Sequence, residues 1–110
     1  MQRSLEAGRA VHLEDWDTIA DGLAAPMAGE LTFDVVRNHV EACVTVPDRE
    51  IRSTMGVLFD RTKQVVEPAG AAGLAALLGN LIAGSGPVVV VLSGGNIDRT
   101  RFAELLTEQS

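Results

Sequence analysis

Val88-Val89-Val90-Val91-Leu92-Ser93-Gly94-Gly95-Asn96 is the stretch on which the fold turns. Five apolar residues follow one another without alternation, the pattern of a parallel-sheet strand covered on both faces. Gly84-Ser85-Gly86-Pro87 supplies a turn before it, and Ser93-Gly94-Gly95-Asn96 ends it. Asp98 then stands where a side-chain oxygen caps a helix, with Phe102, Leu105 and Leu106 as the stripe that helix buries.

Working back from that strand, the segment from about Ala69 to Ala83 reads as a helix. Leu74, Leu77, Leu78 and Leu81 fall on one side of it, and small residues that allow close approach fill the rest. Gly73 costs roughly 1 kcal/mol against alanine there, which close packing against a neighbour would explain. Further upstream, Pro47 opens a helix with Asp48 and Glu50 near its positive end and Arg61 and Lys63 near its negative end. Ile51, Met55, Leu58, Phe59 and Thr62 share one face of it. Val44-Thr45-Val46 reads as a brief strand. Phe33, Val36 and Val40 recur at helical spacing over residues 30–40. Gly8 marks a turn, and Thr18-Ile19-Ala20-Asp21-Gly22 ends in an Asp-Gly turn. Helix, strand, helix, helix, strand, helix predicts an α/β arrangement built as a partial three-layer parallel sheet with flanking helices, with residues 1–110 as a single segment.

The composition narrows the function. Fifteen acidic residues against nine basic ones give a net charge of −6, with no basic cluster, so nucleic acid and anionic membrane surfaces are not expected partners. No apolar stretch approaches the ~20 residues of a membrane span, and residues 1–10 carry no signal-peptide core. Cys43 is the sole cysteine, which rules out an intrachain disulfide and reads as a packed small hydrophobe in a cytoplasmic protein. His12 and His39 stand alone, without the spacing of a metal site. Gly84-Ser85-Gly86 lacks the remainder of a dinucleotide fingerprint or a P-loop.

Three places carry candidate chemistry. Ligands of open α/β sheets sit beyond the carboxyl ends of the strands, which singles out Ser93-Gly94-Gly95-Asn96. Ser93 offers a hydroxyl there and the glycines permit close backbone approach, although the same composition makes an ordinary strand-to-helix turn. Glu67 precedes a proline at a helix start, where an acid also simply suits the helix dipole. The third is the Asp21-Gly22 turn.

In this order and spacing, Thr18-Ile-Ala-Asp-Gly22, Leu31-Thr-Phe33, Val65-Val-Glu-Pro-Ala-Gly-Ala71 and Val90-Val-Leu-Ser-Gly-Gly-Asn-Ile-Asp98 resemble the C-terminal part of threonine dehydratases and serine racemases. These are pyridoxal-phosphate enzymes of the tryptophan-synthase-like fold type II. The likeness runs from about Leu5 to Phe102. The resemblance implies pyridoxal 5'-phosphate as cofactor and a hydroxy-amino acid as substrate, eliminated to a 2-oxo acid and ammonia. It implies that Ser93 hydrogen-bonds the cofactor's pyridine nitrogen, with Gly94 and Gly95 beside it, and that Glu67 and Gly22 lie near the same ring. Lys63 and Asn96 match positions that contact a nucleotide effector in the racemase branch. The family's Schiff-base lysine and glycine-rich phosphate loop belong to motifs not found in this sequence, and Lys63 is its one lysine. The family's metal ligands lie upstream of the matched region, so neither Glu6 nor Glu14 takes that role, and no catalytic residue is assigned. The expectation is therefore a chain inactive alone. It either self-associates or packs against the missing N-terminal portion, as a fragment, a split-enzyme subunit or a non-catalytic remnant.

Overall fold

The computed structural model describes residues 1–108 and consists of five helices and one 3-10 turn joined by irregular segments. They are α1 (Gln2–Ala7), the turn Asp21–Leu23, α2 (Glu30–His39), α3 (Asp48–Thr62), α4 (Pro68–Leu78) and α5 (Arg99–Thr107). None of these helices is long and apolar enough to cross a membrane.

The core lies where α3, α4 and α5 meet. Ile51, Met55 and Leu58 of α3 pack with Ala71 and Ala75 of α4 and with Phe102 and Leu105 of α5; Ala20 and Val66 complete the cluster. Three of the five stripe positions read on α3 are therefore buried. Phe59 and Thr62 are not: Phe59 lies at the edge of that face, and Thr62 is the last residue of the helix; Thr54 is buried instead. Phe59 still meets Phe102 edge-on, with ring centroids 5.6 Å apart. The Thr62 hydroxyl donates to the Leu58 carbonyl. Lys63 closes α3 in the left-handed conformation, φ 61°, with its amide donating to the Phe59 carbonyl.

The helix expected to Ala83 stops at Leu78, where Asn80 turns to φ 54°. Its fully buried positions are also the small residues and not the leucine stripe, of which Leu74 packs against the core from the side. Pro68, Gly70, Ala71, Ala75 and Ala76 face inward, while Leu78 and Leu81 are exposed and Leu74 and Leu77 half-buried. Small residues let the axis of α4 come close to α3, and that close approach outweighs the larger area of the leucines.

Among the described residues no strand is formed, so the partial parallel sheet expected from sequence is absent. Neither Val44–Val46 nor Val88–Leu92 has a ladder partner. A strand exists only through a neighbour's hydrogen bonds, and these runs find none among the described residues. The second run is likewise not covered on both faces: Val89 is 89% exposed and Val91 74%. On its other side it lies against α4, where a Cβ on Gly73 would stand 3.2 Å from Val90 Cγ1, the close packing that the glycine implied.

The remaining elements follow local rules. Gly8 ends α1 at φ 70°. Phe33 is the buried residue of α2, with Arg37 over its ring at 5.4 Å. Asp98 caps α5, accepting from the Arg101 amide at 2.9 Å. Asp98→Ala should therefore lower stability by about 1 kcal/mol, readable as a shift in urea midpoint without a change in slope.

Candidate cofactor-edge site

Ser93, Gly94 and Gly95 form a loop held against the start of α4. The Glu67 amide donates to the Gly94 carbonyl at 3.0 Å. On the Cβ side of Gly94 stands the Glu67 carboxyl, on that of Gly95 the Val65 carbonyl. From α4, a Cβ on Gly70 would lie 2.8 and 2.9 Å from the Gly94 oxygen and nitrogen. Glu67 sits at the N-cap of α4 with Pro68 in the first turn, and its side chain makes no capping hydrogen bond. The carboxyl is thus turned to the loop and not to its own helix.

The Asp21-Gly22 turn reaches the same place from the other side. A Cβ on Gly22 would be 3.0 Å from Ala69 Cβ, which sets the turn on the first turn of α4. Asp21, Glu67, Pro68, Asn96, Asp98 and Arg101 line a cleft of about 180 Å³ there. Four of the regions singled out in the sequence, at Gly22, Glu67, Ser93–Gly95 and Asn96, therefore converge. Lys63 does not join them in the cleft lining. It caps α3, and its Nζ donates to the Asp60 carbonyl at 2.9 Å.

Sequence reading missed the group that fixes the turn. The carboxyl of Asp48, at the start of α3, accepts from the Thr18 hydroxyl at 2.6 Å and from the Ile19 amide at 2.9 Å. The Thr18 hydroxyl in turn accepts from the Ala20 amide at 3.1 Å. Asp48 had an adequate local explanation in the helix dipole, and its partners lie about thirty residues away, so no short-range signal marked the tie. Cys43 is half-buried, and among the described residues no group of acids, histidines or cysteines is arranged to hold a metal.

The sequence profile of the family described as "Pyridoxal-phosphate dependent enzyme" matches residues 1–94. The chain belongs to that family. Pyridoxal phosphate is accordingly its family cofactor. Among curated relatives, the L-threonine ammonia-lyase of Thermotoga maritima is 43% identical over 98 residues, 89% of this chain and 24% of that protein. The serine racemase of Arabidopsis thaliana is 41% identical over 102 residues, 87% of this chain and 30% of its own length. The crystal structure of a T.th. threonine deaminase superposes with a TM-score of 0.83 at 44% identity, over 88% of this chain and 36% of that one. Maize serine racemase gives 0.84 at 36% identity, over 94% and 34%. This member of the pyridoxal-phosphate family thus has the fold of one part of those enzymes and spans between a quarter and a third of the length of the curated relatives it matches.

Proposed function

We propose that the chain is the C-terminal third of a pyridoxal-phosphate-dependent ammonia-lyase acting on β-hydroxy amino acids of the threonine and serine class, and that it furnishes one edge of the cofactor site. When bound, pyridoxal phosphate supplies the electron sink for elimination at Cβ, which leads to a 2-oxo acid and ammonia. The observation that carries this reading is the junction of Glu67 with Ser93-Gly94-Gly95, through the Glu67 amide and the Gly94 carbonyl. In this reading Ser93 holds the pyridine nitrogen with a neutral hydroxyl. Gly94 and Gly95 let the loop close onto the Glu67 carboxyl and the Val65 carbonyl, and Glu67 and Gly22 border the ring. Asp48 positions the Thr18–Gly22 segment.

The residues present fit that edge and not the whole site. A pyridoxal-phosphate lyase also needs an amine to bind the cofactor's aldehyde and a nest of amides for its phosphate. The one lysine of the sequence is engaged at the end of α3. Lys63 and Asn96 as an effector pair draw no support from a shared cleft, which leaves Asn96 with the cofactor edge.

Titration of the purified chain with pyridoxal phosphate tests the reading. The expected result is no Schiff-base absorbance, no protein-bound cofactor after borohydride reduction, and no ammonia from threonine or serine. A reducible adduct at Lys63 with turnover would overturn it.

A further inference from the structure

The segment that carries the Asp21-Gly22 turn is fastened to the rest of the molecule at few points. Asp21, Gly22 and Leu23 are exposed, and Ala20 puts only a methyl group into the core. Most of the segment's hydrogen bonds are internal. The Ala20 amide donates to the Thr18 hydroxyl, the Gly22 amide to the Asp21 carboxyl, and the Leu23 and Ala24 amides to the carbonyls of Ala20 and Asp21. Among the described residues, the hydrogen bonds that join residues 18–24 to another element are the two accepted by Asp48.

Those two bonds aim the turn as well as tether it. Oδ1 of Asp48 accepts from the Thr18 hydroxyl at 2.6 Å and Oδ2 from the Ile19 amide at 2.9 Å, so one planar group holds consecutive residues. With its proton directed at Asp48, the Thr18 oxygen presents its lone pairs to the Ala20 amide, 3.1 Å away. The orientation set by Asp48 thus passes through Thr18 to Ala20, two residues before Gly22. At Gly22 a Cβ would stand 3.0 Å from Ala69 Cβ, so a small shift of the segment changes how the turn sits on α4. Glu50 shares the first turn of α3 and its dipole, yet its carboxyl pairs with Arg49 and touches nothing of the segment. The helix dipole alone therefore does not explain what Asp48 does. We propose that Thr18 and Asp48 form a carboxylate–hydroxyl relay that sets the Gly22 turn on the first turn of α4, which makes both of them positioning residues of the cofactor edge. The purpose of the turn rests on the cofactor-edge reading; the relay itself does not.

Amide hydrogen exchange of the isotope-labelled 110-residue chain, followed by NMR without cofactor, tests the relay. Asp48→Ala should speed exchange at Ile19, and also at Ala20, with which Asp48 shares no hydrogen bond. The expected gain is roughly 10- to 100-fold, the range set by one hydrogen bond to a charged group. Rates are read against Met55 and Ala75 in the core, which separates opening of the turn from a loss of global stability. Thr18→Val should speed exchange at the same two amides, whereas Thr18→Ser, which keeps the hydroxyl, should restore the parental rates. In Asp48→Ala and Thr18→Val the nuclear Overhauser contact between Gly22 and Ala69 should weaken. Glu50→Ala removes an equal charge from the same turn of α3 and should leave Ile19 and Ala20 unchanged. Combining Thr18→Val with Asp48→Ala should open the segment no further than the stronger single change, because the two groups act in series. Faster exchange at Ile19 alone, an equal effect of Glu50→Ala, or an unmoved contact between Gly22 and Ala69 overturns the proposal. A reducible adduct in the pyridoxal phosphate titration would instead count against the cofactor-edge reading and leave these rates untouched.

Discussion

Met55→Ala is expected to remove most of the stability of the isolated chain. Met55 is 1% exposed, and it lies at the junction of α3 with α4 and α5 together with Ile51, Leu58, Ala75 and Leu105. Truncating a buried methionine to alanine costs about 2–5 kcal/mol, the lost transfer term plus the cavity left behind. Small domains hold roughly 5–15 kcal/mol in all. This chain belongs at the low end, because Val89, Val91 and the outward leucines of α4 contribute little burial. The facing residues on α4 are alanines with no slack to fill the hole, which favours the upper half of the range. Urea unfolding followed by circular dichroism measures the effect, with Val89→Ala as a control expected within about 0.5 kcal/mol of the parent. A loss at Met55 below about 1 kcal/mol would mean that the three helices do not share the core described.

Gly70→Ala should destabilise the chain against the trend of helix propensity. In an ordinary helix this change gains up to about 1 kcal/mol. Here the new Cβ would meet the Gly94 oxygen at 2.8 Å, the Gly94 nitrogen at 2.9 Å and Val66 Cγ1 at 3.0 Å. Two of the three are main-chain atoms, and Gly94 is tied to the Glu67 amide, so neither can turn aside as a side chain would. Overpacking of this kind costs about 1–3 kcal/mol net, which is about 4–8 °C in melting temperature for each kcal/mol in a domain near this size. Gly73→Ala provides the contrast. Its new Cβ would meet only the end of the Val90 side chain at 3.2 Å and, more distantly, the Val91 carbonyl, so a change near zero is expected. If Gly70→Ala raised the melting temperature, the loop would not be seated on α4 as described.

These two sites show what could be read from sequence and what could not. The helices at α2, α3 and α5 were legible because their signals are local: periodic apolar positions, Pro47 before α3, and Asp98 as the α5 cap. The candidate edge is legible through motif resemblance, and Gly22, Glu67, Gly94 and Gly95 lie together around the start of α4. Hydrophobicity is a poor guide to the inward side of α4: the small residues fill its contact with α3, Leu74 packs at the edge of the core and Leu78 stays exposed. The expected sheet is not formed among the described residues for a different reason. Five consecutive β-formers state what Val88–Leu92 needs, but no described residue supplies the pairing that would satisfy the need. Asp48 was undervalued because its bonds to Thr18 and Ile19 span a distance in sequence that no window covers.

The open run at Val88–Leu92 also bears on how the polypeptide fares before it meets anything. An uncharged window of five β-formers is the kind of segment that a growing cross-β fibril recruits. Pro87 at its head interrupts strand propagation on one side, and Gly94-Gly95, pinned beneath Glu67 and Val65, limit it on the other. The surplus of acidic groups keeps neighbouring molecules apart at neutral pH, a protection that fades as the medium approaches the isoelectric point near 4.7. Among the described residues, the protection of this segment therefore rests on two flanking breakers and a diffuse negative charge more than on burial.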